Sequence, residues 1–382
     1  MNYTMNTFET LISKTLDKPW NWGKFGLSDN PSITPEFVLA NPDKPWFWGW
    51  DGLSSNLFIT PEFVTATIDK PWDFFSLSMN TSITSRFVMA NLDKEWVWGF
   101  LGLSNNPSIT PEFVLANPDK TWHWGKFGLS DNPSITPEFV LANPDKPWDW
   151  GYNGLSDNPS ITPEFILATL DKPWDWGYNG LSRNPSITLD FVLENLDKPW
   201  DWEGLSSNPS ITPEFVLANP DKPWFWGWDG LSNNPSITPE FILANLDKPW
   251  CWCSLSSNSS ITPDVVFANP NLPWDWEELS SNPSITPEIV RANIDKPWGW
   301  KGLSSNPSIT PEFVLANLDK PWDWRQYGLS GNEFGITKES ESKRRINNRC
   351  KHTKRELVET TWRTERMMDW CMSIDERNEL LT

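Results

Sequence analysis

Ile33-Thr34-Pro35-Glu36-Phe37-Val38-Leu39-Ala40-Asn41 decides the fold, because the same words return along most of the chain. The leading Ile recurs at 33, 59, 83, 109, 135, 161, 187, 211, 237, 261, 285 and 309, at intervals of 26 or 24 residues. Each copy carries a helix start. Thr34 is a natural N-cap and Pro35 stands at the first helical position, where its missing N–H costs nothing. Glu36 puts negative charge in the first turn, and Ile33 can reach Val38 as a hydrophobic staple. Asn41-Pro42 ends the helix, with Asn suited to a left-handed terminus. A helix of about two turns is marginal alone, so it must lean on neighbours.

Between these copies lies a second phrase, Asp-Lys-Pro-Trp-x-Trp followed by Leu-Ser. Its first Trp falls at 20, 46, 72, 96, 122, 148, 174, 200, 224, 250, 274, 298 and 322. There are thirteen second halves and twelve clear first halves. Leu11–Thr15 reads as a worn first half, and Gly335-Ile336-Thr337 as another. Asp43-Lys44-Pro45 reads as a second helix start, with Trp46, Trp48 and Leu53 as its apolar side and Ser54-Ser55-Asn56 as its end. Two short helices per unit that cannot bury their faces alone predict stacking into a shared core. The expected fold is therefore all-α, an elongated α-solenoid of about thirteen units. Prolines inside every unit argue against a β-solenoid, since a sheet ladder excludes them. The domains expected are an N-terminal cap (1–16), the repeats (17–337) and a basic, then helical tail (338–382). In the tail, Glu356–Trp370 is a candidate helix to cap an open solenoid end.

Composition narrows the function classes. The 382 residues include 29 Trp and 35 Pro, but only 4 Cys and 2 His. So few cysteines exclude a disulfide scaffold. A mean hydropathy of −0.50 and the lack of a long apolar run argue against a membrane span. No basic region followed by an apolar stretch marks the N-terminus as a secretory signal. The net charge is −19. Residues 1–337 hold 20 Lys/Arg and 41 Asp/Glu, and residues 338–382 hold 11 and 9. An acidic solenoid is a poor phosphate binder, so nucleic acid is not the expected partner of the repeats. The basic stretch Lys343, Arg344, Arg345, Arg349, Lys351, Lys354, Arg355 reads as a nuclear signal or nucleic-acid patch, or as a solvated segment docking on the acidic repeats.

Two families resemble this repeat. Leu303-Ser304-Ser305-Asn306-Pro307-Ser308-Ile309-Thr310-Pro311-Glu312 is similar to the leucine-rich variant repeat, which shares the 24-residue period, the Asn-Pro turn and the Thr-Pro-Glu start. That resemblance implies a superhelix in which one helix per unit is 3₁₀. Trp-x-Trp departs from that family's smaller residues. The whole phrase Asp-Lys-Pro-Trp-Asp-Trp, Leu-Ser-x-Asn-Pro-x-Ile-Thr, over 11–329, resembles Trp-rich tandem repeats in proteins of large double-stranded DNA viruses. It implies a viral origin and action inside the infected host cell, in the cytoplasm or, through the basic tail, the nucleus. It implies no activity.

Catalytic chemistry finds little support. His123 and His352 sit in no nucleophile arrangement, and the Gly-x-x-Gly pairs lack the Lys-Ser/Thr of a P-loop. Cys350, His352 and Cys371 match no common zinc spacing. No cofactor is expected. Variation between units marks the better candidates. One variable position lies between the two Trp and reads as solvent-exposed. The other is the loop after the second Trp, where seven units place an aromatic or apolar residue between two glycines. From it come the candidate contact residues Trp50, Phe100, Phe127, Tyr152, Tyr178 and Trp228, since insertions in solenoids often mark the binding face. The competing reading folds each aromatic back over its own Trp pair as a lid. The expected function is a non-catalytic scaffold for protein partners. The alternatives are a carbohydrate- or nucleotide-binding aromatic surface and a purely structural virion or inclusion component.

Overall fold

The computed structural model describes residues 5–334, which lie in one compact unit. They hold eighteen α-helices and two 3₁₀ turns, and no strand among the described residues. The tail candidates, the basic stretch, Glu356–Trp370 and the Cys350/His352/Cys371 set, lie outside the described residues.

The first-half helix forms as its residues dictate. In Pro35–Ala40 the Thr34 Oγ1 accepts the Phe37 N–H at 3.2 Å, and Phe37 and Val38 are buried with Ile33. Its end differs from expectation. Asn41 has φ −127°, not a left-handed value. Its Nδ2 instead donates back to the Phe37 carbonyl at 2.9 Å, while its own carbonyl accepts the Trp46 indole N–H at 2.9 Å. Thr15, Thr67 and Thr169 stand at this position in other units and reach the same carbonyl four residues back with their hydroxyls. The position requires a short donor, not a left-handed residue.

The second half departs further. Asp43-Lys44-Pro45 starts no helix; it forms a turn, with the Lys44 N–H on the Asn41 carbonyl at 3.2 Å. The helix begins one phrase later, at the second aromatic of the pair, and only in the 24-residue units. These helices are Phe74–Met79, Trp202–Ser207, Trp252–Ser257, Trp276–Ser281 and Trp300–Ser305. Their N-cap is the variable residue between the aromatics: Asp73, Asp201 and Asp275 each accept backbone N–H bonds there. In the longer units Asp149 and Asp175 accept the Gly151 and Gly177 N–H groups, both at 2.8 Å. That position is therefore half-buried in most units rather than exposed; Phe47 and Phe225 are the exposed exceptions. Two extra residues turn the helix into a loop. The 3₁₀ helix implied for every unit is present in two, Leu103–Asn105 and Leu181–Arg183.

Units join by a fixed set of bonds. The Asn56 Nδ2 donates to the Ser28 and Asn30 carbonyls of the preceding unit at 3.3 and 2.9 Å. The Ser28 Oγ donates to the Trp22 carbonyl and accepts the Phe47 N–H of the next unit at 2.9 Å. Trp22 meets Trp46 edge to face at 5.1 Å. Such T-shaped pairs are favourable beyond the area they bury.

The last unit makes this same set of bonds to the first. Asn30 Nδ2 donates to the Ser330 and Asn332 carbonyls at 2.9 and 3.0 Å. Ser330 Oγ accepts the Asn21 N–H at 2.9 Å, and Trp324 meets Trp20 at 5.0 Å, near perpendicular. Phe8 packs on Phe334 at 4.7 Å. The solenoid is a closed ring of thirteen units, not an elongated rod, and no end is left open among the described residues. The worn half-repeat makes this closure. Thr7–Lys14 is the thirteenth first-half helix, with Phe8, Leu11 and Ile12 buried and an Asn6/Glu9 capping box.

Candidate functional site at the inner rim

A ring orders its layers by radius, because the spacing of equivalent points in neighbouring units grows with distance from the axis. Successive second-half helices such as Trp252–Ser257, Trp276–Ser281 and Trp300–Ser305 pack directly on one another, whereas successive first-half helices, apart from the pair at the closure, barely touch. The second halves are therefore the inner layer. The insertion loops lie closer still. Phe25 N–H bonds the Asp51 carbonyl at 2.8 Å, Leu101 N–H the Phe127 carbonyl at 3.1 Å, and Phe127 N–H the Asn153 carbonyl at 2.9 Å, each joining equivalent residues of adjacent units. Backbones bonded this way run about 4.8 Å apart, and thirteen units at that spacing trace a circle roughly 20 Å across. First-half helices at an ordinary separation of about 9 Å would trace one roughly 40 Å across.

Local chemistry fixes each loop. The second glycine of the pair is obligatory. A Cβ on Gly154 would stand 2.5 Å from the Asp149 carbonyl oxygen, the acceptor of the Leu155 N–H at 2.8 Å. Phe25, Asp51, Leu101, Phe127 and Asn153 all have φ between 49° and 57°. For bulky Phe25, Leu101 and Phe127 that left-handed backbone costs about 1–2 kcal/mol, offset by the loop-to-loop bonds.

The candidate aromatics divide into two groups. Trp228 is 71% exposed, Trp50 57% and Phe100 52%, and Tyr152 is also exposed. Phe127 and Tyr178 are half-buried. Phe127 packs edge-on against Phe100 at 5.7 Å. The Tyr178 hydroxyl donates to Asp229, whose carboxylate also takes Arg183 at 3.1 Å. This link spans from the Trp174 unit to the Trp224 unit, over the loop-less Trp200 unit between them. Burial and the bond to Asp229 push the Tyr178 phenol up. Phe100 contacts Phe127 and His123, and Trp50 and Tyr178 each face a cation; among the described residues none of these four rings pairs with a Trp of its own unit. Lys24 Nζ sits 4.7 Å from the Trp50 ring and 3.2 Å from Asp51.

The Trp pairs themselves belong to the core. The first Trp donates its indole N–H within its own unit, as Trp148 does to the Asn143 carbonyl at 2.8 Å. The second is flanked by the next Trp and, in seven units, by a Lys, such as Lys146 at 5.4 Å from Trp124.

Two site features escaped the sequence reading. Tyr327 is 71% exposed at the equivalent loop of the last unit. Its signal was the Gly328-Leu329 ending shared with the other long loops; Arg325 in place of the first glycine hid it. The second is acid. Burial and the nearby Asp51 raise Asp29 to about 6, and burial and the adjacent Asp157 raise Asp131 to about 6. Burial also raises Asp157 and Glu278.

Among the described residues no group of three His, Cys, Asp or Glu is placed to hold a metal ion, and no helix is long and apolar enough to cross a membrane. Compared with protein-family models, with curated proteins and with solved structures, the chain matches none.

Proposed function

We propose that the ring is a non-catalytic protein-interaction scaffold whose inner-rim loops are the contact surface. The observation that carries this reading is the exposure of Trp50, Phe100, Tyr152 and Trp228 on loops anchored at both ends to a closed framework. Rigid aromatics with few rotatable bonds lose little entropy on contact and make good anchors. Residues outside the described part, Lys343–Arg355, supply the proposed nuclear route, and the resemblance to viral Trp-rich repeats supplies the proposed setting, the infected host cell.

The test is an affinity capture from host lysate with the intact chain and with Trp50, Phe100, Tyr152 and Trp228 changed to Ser. Partners lost only with the Ser variant support the rim as the contact surface. The same proteins held by both overturn it.

The bare faces of Trp228 and Tyr327 also favour a second reading, stacking of sugars or bases. Quenching of Trp fluorescence by free saccharides or nucleotides would favour it over a protein partner.

A further inference from the structure

The rim does more than expose aromatics; it alternates them with carboxylates around one axis. From the residue between the Trp pair to the residue before each turn Asn, the thirteen inner segments hold five Lys/Arg and fourteen Asp/Glu, net −9. The like-charged pairs Asp29/Asp51 and Asp131/Asp157 stand close enough to repel; Lys24 pairs with Asp51, and Arg183 acts on Asp157. Two of the five rim cations are held in the same way, while Arg325 lies on Asp323 at 3.0 Å. Lys24 lies between the Trp50 ring and the Asp51 carboxylate, and Arg183 lies 5.3 Å from the Tyr178 ring and 3.1 Å from Asp229. Lys24 and Arg183 each take an aromatic face and a carboxylate together. Phe100, Tyr152, Trp228 and Tyr327 offer further faces in the same acidic circle.

We infer that the occupant of the rim is a basic, Arg/Lys-rich segment of a partner protein, held as one extended chain at the ring axis, one per ring. This rests on the scaffold reading and adds the partner's chemistry and stoichiometry. Guanidinium groups stack on Trp and Tyr faces and fork onto carboxylates, the two groups the rim supplies side by side. Size agrees. A circle roughly 20 Å across, partly filled by its own side chains, leaves about the width of a single extended chain or helix and excludes a folded domain. Nucleic acid is disfavoured by the same net negative charge.

The probe is a fluorescently labelled twelve-residue polyarginine peptide, titrated against the intact chain by anisotropy, with polyglutamate and Gly-Ser peptides of equal length beside it. Native mass spectrometry counts peptides per chain. The expected result is binding of the basic peptide alone, at one per chain, weakened several-fold between 50 and 300 mM salt, as screening requires. A rim variant (Trp228→Ser, Tyr327→Ser, Glu203→Gln, Glu277→Gln) is expected to bind at least 10-fold more weakly. An outer-layer variant that changes the same number of residues and removes more acid (Glu36→Gln, Glu138→Gln, Glu164→Gln, Glu312→Gln) is expected to bind as the parent does.

Equal weakening by the two variants, or several peptides per ring, would mean diffuse polycation attraction and overturn the inference. So would absence of polyarginine binding. Rim-dependent binding of the acidic or neutral peptide would overturn the basic partner while leaving the scaffold standing. Failure of the scaffold itself is read separately, as lysate partners that the Ser variant retains.

Discussion

Eight long units and five short ones share one ring, and they differ in what they spend two residues on. Both kinds keep the buried Asn and Ser that tie each unit to the last, and both keep the edge-to-face aromatic pair. In the short units the chain after the second aromatic coils into one helical turn, as in Trp252–Ser257. In the long units it leaves the framework, carries an aromatic on a loop that is strained in five of the eight, and returns to the same Leu, as at Leu155. Framework and rim are thus separable. The joint bonds hold the ring, and the insertions decide what the ring presents.

The largest effect should come from breaking the one joint that the chain does not supply by continuity. Deleting residues 1–16 removes the thirteenth first-half helix and with it buried Phe8, Leu11 and Ile12. Each large buried side chain contributes about 1.5–3 kcal/mol, and the adjoining Trp20 and Trp324 faces would be exposed as well. The expected outcome in scanning calorimetry is a drop in Tm by more than 15 °C with loss of a single cooperative transition. An unchanged Tm would mean that the ring is not closed in solution. Deleting two internal units, Ile135–Ser186, sharpens the point. A rod would simply shorten. A ring must re-close with eleven units or stay open, and scattering measurements separate a compact eleven-unit ring from an extended chain.

Next comes the polar joint shared by both kinds of unit. Asn132→Ala leaves the Ser104, Asn106 and Ile109 carbonyls without the Nδ2 donor that sits 3.0–3.3 Å from them, and the Ser134 N–H without its acceptor. Buried unsatisfied groups cost about 1–3 kcal/mol each, so a loss of roughly 3–5 kcal/mol is expected in urea unfolding. The equivalent change in a short unit, Asn282→Ala, should lose a similar amount. Unequal losses would show that the framework is not common to the two.

At a third position the Trp148 long unit and the Trp274 short unit should differ, although Gly302 in another short unit is as tightly crowded as Gly154. Gly154→Ala drives a Cβ into the Asp149 carbonyl of a long loop, so about 2–4 kcal/mol of stability should go. Glu278 occupies the equivalent place before Leu279 in a short unit and already carries a side chain. Glu278→Ala should stay within about 0.5 kcal/mol. Two equal effects would contradict the clash of a Gly154 Cβ with the Asp149 carbonyl.

How far the sequence showed this follows from the same division. The first-half helix was legible because its signals are local: a Thr cap, a Pro at the first position, a staple between residues five apart. The second-half start was misread because Asp-Lys-Pro imitates a cap followed by proline. The real cap is the variable residue between the Trp pair, which looked free to vary because Asp, Asn and Gly can each serve a turn. The loop aromatics were found through the insertion, yet Tyr327 was lost with the missing first glycine. Closure had no local signal. It depends on an angle of about 28° per unit, set by the difference in thickness between two packed layers. The nearest clue was arithmetic: thirteen second halves against twelve clear first halves, with a worn first half waiting at Leu11–Thr15.

The smallest effect concerns acid at the long units. The folded state holds the Asp131 proton up to about pH 6, against 3.8 for the ordinary carboxyl. A raised folded-state value means that the ionised carboxylate opposes folding. That penalty is fully present above about pH 6, shrinks as pH falls through 6, and is gone below 3.8. Asp131→Asn removes the charge and, on Asp157, the repulsion that accompanies it. The Tm of the variant should exceed the parent's at pH 8 and match it at pH 4. In the short units Ser207 and Ser305 stand at the equivalent position, and Ser→Asn there should shift Tm equally at both pH values. Solvent reaches Asp131 in part, which keeps the expected gain to a few degrees at most. A gain that persisted at pH 4 would trace to packing rather than charge, and would remove repulsion between neighbouring carboxylates as a property of the rim.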